Sequence, residues 1–326
     1  MKTIDQLVLA AAEAFLQRGE SGWLCTVVKT FGASPRPLGS IMAMDEHGNL
    51  HGSLSGGCIE DELLGKLQRG ELAATTPVLL EYGVSPEENE RFGLPCGGRM
   101  HILIEPLAPS KMQGDLLNEL LVALAARRPI RRKVDLAQGG WQLETIASCQ
   151  PLCIDENAMQ QDFGPRFQML LIGANELARC IAEIALAMDY RVLVCDPRED
   201  RRAQWSVSGA ELLADMPDDA VSEYGDSYTA VVTLTHDPRI DDMALMQALT
   251  QPLFYVGALG SQRTSDKRRE RLLNLDITGE QLQQLHAPVG LPIGSKSAME
   301  IALAIMAELT QLRAGMRRAD GGVPIR

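Results

Sequence analysis

The sequence predicts an α/β protein of two domains: a C-terminal Rossmann-like doubly wound parallel sheet and a separate N-terminal α+β domain. Three observations predict it. Short apolar runs alternate with helical patterns through the second half, the pattern of parallel strands covered by helices on both faces. The first half instead sets one amphipathic helix beside strands joined by turn chemistry. At 326 residues the chain exceeds one small core and suits two ordinary domains. The best boundary is residues 155–166, polar and carrying Gly164-Pro165. It divides the chain into residues 1–160 and 161–326.

Taken in order, Ile4, Leu7, Val8, Ala11 and Phe15 recur on one face of an N-terminal helix that ends at Gly19. Asp5 and Glu13 interrupt its apolar run, so the segment does not read as an export signal, and no apolar stretch is long enough to span a bilayer. A cytoplasmic address is expected. Strands are predicted at 23–30, 40–45 and 50–54, separated by FGASPRPLGS and DEHGN. A helix begins near Cys58, RMHILIE gives a strand from Arg99, residues 112–127 are helical, and short strand-like pieces run on to GPRF. In the second half, Phe167–Ile172 is a buried-strand run, GANELA opens a helix through Met188, and RVLVCD is the next strand. AVVTLT and PLFYVGALG repeat the strand-then-loop form. GSKSAMEIALAIMAELTQLRAG is a helix with a capping box in Ser297 and Glu300.

Composition narrows the function classes. A formal charge of -12 and an aromatic content of 4% argue against a nucleic-acid protein, which needs cations for phosphates and rings for bases. Seven cysteines, odd in number and widely spaced, do not make a disulfide framework. Cys25, Cys180 and Cys195 sit in apolar strand or helix patterns as small buried residues. Cys149 and Cys153 have one residue too many between them for CxxC, with nothing nearby to complete a metal site. Cys58 and Cys96 remain for chemistry.

Three places carry that chemistry. In LLIGANELA, Gly173 and Ala178 fit the outer positions of a dinucleotide fingerprint, but Asn175 replaces the middle glycine, where a pyrophosphate needs bare backbone. Asp196, ending the second strand, is placed for a ribose hydroxyl. The fold survives without a dinucleotide, since turn and packing need only the outer positions, so NAD(P) is disfavoured. In YVGALGSQRTSDKRRERL, Gly260, Ser261 and Arg263 offer amides and a cation to an anion at a helix N-terminus, whereas Lys267, Arg268 and Arg269 read as a solvated basic face. His236, after AVVTLT, falls at the same sheet edge and would otherwise cap the next helix. In SLSGGCIEDELL, Gly56 and Gly57 permit a tight turn with exposed N–H groups, and Cys58 stands at a helix N-terminus that favours the thiolate. Glu60, Asp61 and Glu62 read as ordinary first-turn acids. Cys96-Gly97-Gly98 mirrors that arrangement, as two loops converging on one ligand would.

Together, SGGCIEDEL, LPCGGRMHILIEP, VCDPR, LTHDPRID, YVGALGSQRT with KRRERL, and HAPVGLPIGSKSAMEIALAIMAEL resemble the XdhC/CoxI family over nearly the whole chain. The resemblance implies a chaperone, not a turnover enzyme. It implies that the protein binds the molybdenum cofactor, as molybdopterin or its cytidine dinucleotide, and protects it while a cysteine desulfurase supplies the terminal sulfur. The cofactor then passes to the large subunit of an apo molybdenum hydroxylase such as xanthine dehydrogenase or aldehyde oxidoreductase. A molybdopterin nucleotidyltransferase is a further implied partner, and a homodimer is expected. On that resemblance Cys58 and Cys96 hold or guard the molybdenum, while Gly173, Asn175, Asp196 and Gly260 lie near the nucleotide or phosphate end. GAN departs from the fuller glycine fingerprint of many relatives, which weighs against nicotinamide binding. Two other readings remain: an NAD(P)-dependent oxidoreductase, and a sulfur carrier with a persulfide on Cys58.

Overall fold

A computed structural model describes residues 3–31, 36–92 and 98–319. The chain divides at Pro165/Arg166 into two compact units. The division falls a few residues past position 160 because the last strand of the first unit runs to Phe163.

The N-terminal unit runs α1 (Ile4–Gln17), β1 (Gly22–Phe31), β2 (Ile41–Asp45), β3 (Leu50–Gly52), α2 (Cys58–Gln68), β4 (Val78–Tyr82), α3 (Pro86–Arg91), β5 (Arg99–Leu107), α4 (Lys111–Ala125), β6 (Ile130–Asp135), β7 (Trp141–Thr145), β8 (Cys153–Ile154) and β9 (Ala158–Phe163). Its larger sheet is antiparallel, in the order β3-β2-β1-β5-β4, and a smaller one runs β7-β6-β9-β8. The central strands β2, β1 and β5 of the larger sheet are buried on both faces. Leu24 and Leu103 enter one core with α1 and α4, while their neighbours Cys25 and Ile102 enter another with α2. This is why 23–30 reads as a nearly unbroken apolar run rather than an alternating one. The buried stripe of α1 is Val8, Leu9, Ala12, Phe15 and Leu16. That stripe is rotated from the expected face, since Ile4 and Leu7 are 60% and 54% exposed. Packing on β2, β3 and α4 selects the stripe, and 3.6-residue periodicity admits either choice.

The C-terminal unit runs β10 (Gln168–Ile172), α5 (Glu176–Ala187), β11 (Arg191–Cys195), α6 (Glu199–Arg202), β12 (Glu211–Leu213), α7 (Pro217–Tyr224), β13 (Thr229–Thr233), α8 (Pro238–Ala248), β14 (Tyr255–Ala258), α9 (Gln262–Leu273), α10 (Gly279–Leu282), β15 (Leu285–His286) and α11 (Ala298–Ala319). Its six strands are parallel, in the order β12-β11-β10-β13-β14-β15. Met169 and Leu171 of β10 pack with α5 and α11 on one face, and Leu170 and Ile172 pack with α7 and α8 on the other. The chain reverses direction of travel at β10, between β11 and β13. Open α/β sheets bind ligands at such a switch point, beyond the carboxyl ends of the strands.

Cys25, Cys180 and Cys195 are buried, as their strand and helix patterns require. Burial pushes the Cys195 thiol up to about 12, and the Cys25 thiol higher still, so neither is a nucleophile. No helix among the described residues is long and apolar enough to cross a membrane.

Candidate functional site

In the C-terminal unit, the loops that end β10, β11, β13 and β14 carry Gly173 and Asn175, Asp196, His236, and Gly260, Ser261 and Arg263 respectively. The topology therefore places these residues along one sheet edge. Their side chains are used differently from the expectations.

Asn175 is the N-cap of α5. Its Oδ1 accepts the Ala178 amide at 2.9 Å, and its Nδ2 donates to the Leu234 carbonyl at 2.8 Å, across to the loop after β13. Gly173 takes φ +110°, and a Cβ there would lie 2.7 Å from Thr235 Cγ2. Its glycine character thus serves close packing of two loops, whatever the ligand. Gly173→Ala is expected to cost about 1–3 kcal/mol, read as a lowered Tm of the full chain.

Asp196 corrects the ribose reading. It is fully buried and its carboxylate is spent internally: Oδ2 accepts the Ala174 amide at 2.8 Å, and both oxygens are clamped by the Arg198 guanidinium at 2.8 Å. Burial works to raise its pKa, but Arg198 and the backbone amides outweigh it and hold the group below the ordinary carboxylate range.

His236 is exposed, at φ +61°, and does not cap the next helix. Asp237 does that by accepting the Arg239 amide at 3.0 Å. Ser261 caps α9, accepting the Thr264 amide at 3.2 Å, and Arg263 is exposed on the first turn. The helix N-terminus expected for an anion is thus present.

The basic stretch behind it is a solvated face only at Lys267, which is exposed; Arg268 and Arg269 turn inward. Arg268 is 2% exposed, donating to the Leu259 carbonyl at 3.0 Å and to Asp241 Oδ2 at 3.1 Å. Asp241 Oδ1 in turn accepts the Thr235 hydroxyl at 2.7 Å. Arg269 donates to the Leu282 and Leu285 carbonyls. Arg268 and Asp241 brace the loops after β13 and β14 to each other. A cation every third or fourth position on α9, with acids on α8, is the pattern that marks such a brace.

At the outer strand, Glu308 of α11 gathers the Tyr255 hydroxyl at 2.6 Å, the Gly290 amide at 2.8 Å and His286 Nδ1 at 2.7 Å. Sequence reasoning misses these residues. HAPVG followed by a helix bearing a buried-face acid is the only trace they leave.

In the N-terminal unit, α2 begins at Cys58, as expected, with Gly57 as its cap. Gly56 and Gly57 take φ +105° and +149°, conformations that L side chains rarely adopt. Their amides are not open to a ligand. Glu60 turns back into the loop, and its carboxylate accepts from the Leu54, Ser55, Gly56 and Gly57 amides at 2.8–3.1 Å and from the Ser53 and Ser55 hydroxyls. Glu60 is therefore no ordinary first-turn acid. Burial opposes its ionisation, but these donors outweigh burial and hold its carboxyl far below the usual range. An acid three residues after the cap is half of a capping box, the signal that identifies it. The side chain of Cys58, together with Cys96 and Gly97, lies outside the described residues; Gly98 is buried just before β5.

Comparison with known proteins follows the same two units. A family model described as the XdhC Rossmann domain matches residues 169–309, and one described as the XdhC and CoxI family matches residues 15–83. The chain is 27% identical to the molybdenum cofactor insertion chaperone PaoD of Escherichia coli (strain K12), over 94% of this chain and 88% of that protein. It is 24% identical to a probable xanthine dehydrogenase subunit of Bacillus subtilis (strain 168), over 92% of this chain and 96% of that one. A crystal structure described as a xanthine dehydrogenase from Bacillus halodurans superposes with a TM-score of 0.73 at 24% identity, over 96% of this chain and 97% of its own, which establishes the shared fold.

Proposed function

The chain belongs to the XdhC and CoxI family, and from that premise we propose that it is an accessory chaperone that binds the molybdenum cofactor as cargo and inserts it into an apo molybdenum hydroxylase. The observation that carries this reading is the likeness to an insertion chaperone across 94% of the chain, both units included. The site chemistry supports it. Gly260, Ser261 and Arg263 form the start of a twelve-residue helix, with amides, a hydroxyl and a cation that suit the phosphate of a pterin cofactor. His236, exposed on the neighbouring loop, adds a further donor.

The same geometry weighs against an NAD(P)-dependent oxidoreductase, since Asn175 occupies the middle fingerprint position and Asp196 is committed to Arg198 and Ala174. In the proposed cycle Cys58 and Cys96 face the metal end and guard molybdenum while a cysteine desulfurase supplies sulfur, before transfer to the large subunit of the hydroxylase. Thiolate is the soft ligand type for such a centre. The cofactor is taken as molybdopterin or its cytidine dinucleotide, the latter received from a nucleotidyltransferase. The protein acts in the cytoplasm as a homodimer.

Purification from a molybdopterin-competent host, under anaerobic conditions, is expected to yield near-stoichiometric molybdenum and pterin. Cys58→Ala and Cys96→Ala are each expected to retain at least about 10-fold less. A wild-type protein that arrives empty and gains Tm on adding NAD(H) would overturn the reading in favour of the oxidoreductase. Mass spectrometry after incubation with desulfurase and cysteine separates a guard from a carrier, since only a carrier gains one sulfur on Cys58.

A further inference from the structure

A chain of polar side chains crosses the apolar core that the two sheets of the N-terminal unit share with α1 and α4. Glu105 on β5, Arg132 on β6 and Gln161 on β9 are all buried there. Arg132 donates to Glu105 at 3.1 Å and to Gln161 Oε1 at 2.8 Å, and Gln161 Nε2 donates to the Gly39 carbonyl at 2.9 Å. The chain thus ends on a backbone atom of the segment that leads into β2.

Stability alone does not call for it. An apolar pair of similar volume is often as stabilising as a buried ion pair, and Arg132 Nε is buried with no hydrogen-bond partner among the described residues, a further cost. What the ion pair supplies and an apolar pair cannot is direction. A guanidinium only donates, so the amide oxygen of Gln161 faces Arg132 and its NH2 group is turned to Gly39.

The segment it holds is a tight turn at residues 37–40. The Ser40 amide donates to the Pro37 carbonyl at 3.2 Å, and Gly39 takes φ +83°, as the third residue of a type II turn requires. The Gly39 amide donates to the Val27 carbonyl at 2.8 Å, and the Val27 amide donates to the Ser40 carbonyl at 2.9 Å. Val27 therefore holds the turn from β1, and Gln161 holds it from β9.

Strand register sets this turn at the same end of the sheet as the cysteine loop. Met42, just inside β2, pairs with Gly52, the last residue of β3, so the turn and the loop of residues 53–57 that opens α2 leave the sheet together. Phe31 pairs with Arg99, so β5, which follows Cys96 in the chain, starts at that end too.

We propose that Gln161, oriented by the Glu105–Arg132 pair, is a positioning residue for the cargo site: by holding the Gly39 carbonyl it sets the turn at 37–40 beside the loop that carries Cys58. The inference rests on the cofactor-chaperone reading. It gives three core residues a part in cargo retention as well as in folding.

Two variants of the full chain separate positioning from folding. Gln161→Leu keeps the bulk of the side chain and removes its bond to Gly39. Arg132→Met combined with Glu105→Leu replaces the ion pair by apolar volume and leaves Gln161 without the donor that orients it. In both, hydrogen–deuterium exchange at the Gly39 and Ser40 amides is expected to quicken about 5- to 10-fold, the effect of one lost hydrogen bond. Molybdenum and pterin retained per folded molecule, after anaerobic purification from a molybdopterin-competent host, are expected to fall at least about 10-fold. In the double variant that fall accompanies a Tm restored most of the way to wild type, a combination that a purely structural role does not produce. Either variant carries the test alone if the other fails to fold.

Full retention in a folded variant whose turn exchanges faster would overturn the proposal and leave the chaperone reading intact. Exchange at Gly39 and Ser40 unchanged from wild type would also overturn it. A wild-type protein that purifies empty would overturn the chaperone reading, and the cargo role of Gln161 with it.

Discussion

Replacing Glu60 with alanine is expected to lower the stability of the N-terminal unit by about 3–5 kcal/mol, among the larger effects of any single substitution in the chain. The carboxylate serves six donors on Ser53, Leu54, Ser55, Gly56 and Gly57. Each buried donor left without its acceptor costs about 1–3 kcal/mol. Gly56 and Gly57 are exposed and recover water, so the sum stays well below six full penalties.

The effect carries a pH signature. Glu60 has a folded-state pKa held below its unfolded value, so its stabilisation is fully present above the unfolded carboxylate range near pH ~4.3 and is lost as the pH falls toward the folded value. Glu60→Gln keeps one acceptor oxygen but cannot titrate, and is expected to flatten the acid limb of the stability curve. Urea unfolding followed by fluorescence in the Trp205→Phe background reads this unit, because Trp23 and Trp141 both lie in it. A midpoint for Glu60→Ala indistinguishable from wild type would show that the loop holds its shape without the carboxylate. The same loop leads into Cys58, so a loosened cradle is also expected to reduce cofactor retention.

The second large effect lies at the ion pair between the two sheets of that unit. Arg132 and Glu105 are both buried, with Arg132 donating to Glu105 at 3.1 Å and to Gln161 at 2.8 Å, and Trp141 donating to the same Glu105 oxygen at 2.8 Å. Arg132→Met is expected to destabilise by about 3–5 kcal/mol, because it leaves Glu105 charged or protonated in an apolar interior with one hydrogen bond. Burial already pushes the Glu105 carboxyl up against the pull of Arg132, and removing that cation raises it further. Arg132→Met combined with Glu105→Leu is expected to regain most of the loss, since a well-packed apolar pair replaces a desolvated ionic one. The check is the same urea midpoint. A double variant as unstable as the single one would show that Gln161 and Trp141 depend on the charges for their placement.

Much of the architecture follows from local pattern. The alternation of buried strands and helices in the second half predicts the parallel sheet, because a strand covered on both faces must be apolar throughout and its crossover helix must carry a stripe. The first-half strands and the helix starting at Cys58 follow from turn residues and glycines. Several short edge strands, β4, β12 and β15, leave no such pattern, since an edge strand is half exposed and is held by its neighbour's hydrogen bonds. The glycine loops, the altered fingerprint at Asn175 and the family likeness are likewise legible from residue identities alone.

Tertiary structure decided what those residues do. Whether a carboxylate faces a ligand or its own backbone depends on which donors the fold brings within 3 Å, and those donors are distant in sequence or hidden in a turn. So Asp196 binds Ala174 and Arg198, Glu60 fills its own loop, and Arg268 leaves solvent to brace two strand ends. A sequence displays which groups carry charge and hydrogen-bonding capacity. Only packing settles where each charge is desolvated and by what it is satisfied, because that balance is summed over neighbours that chain order does not reveal.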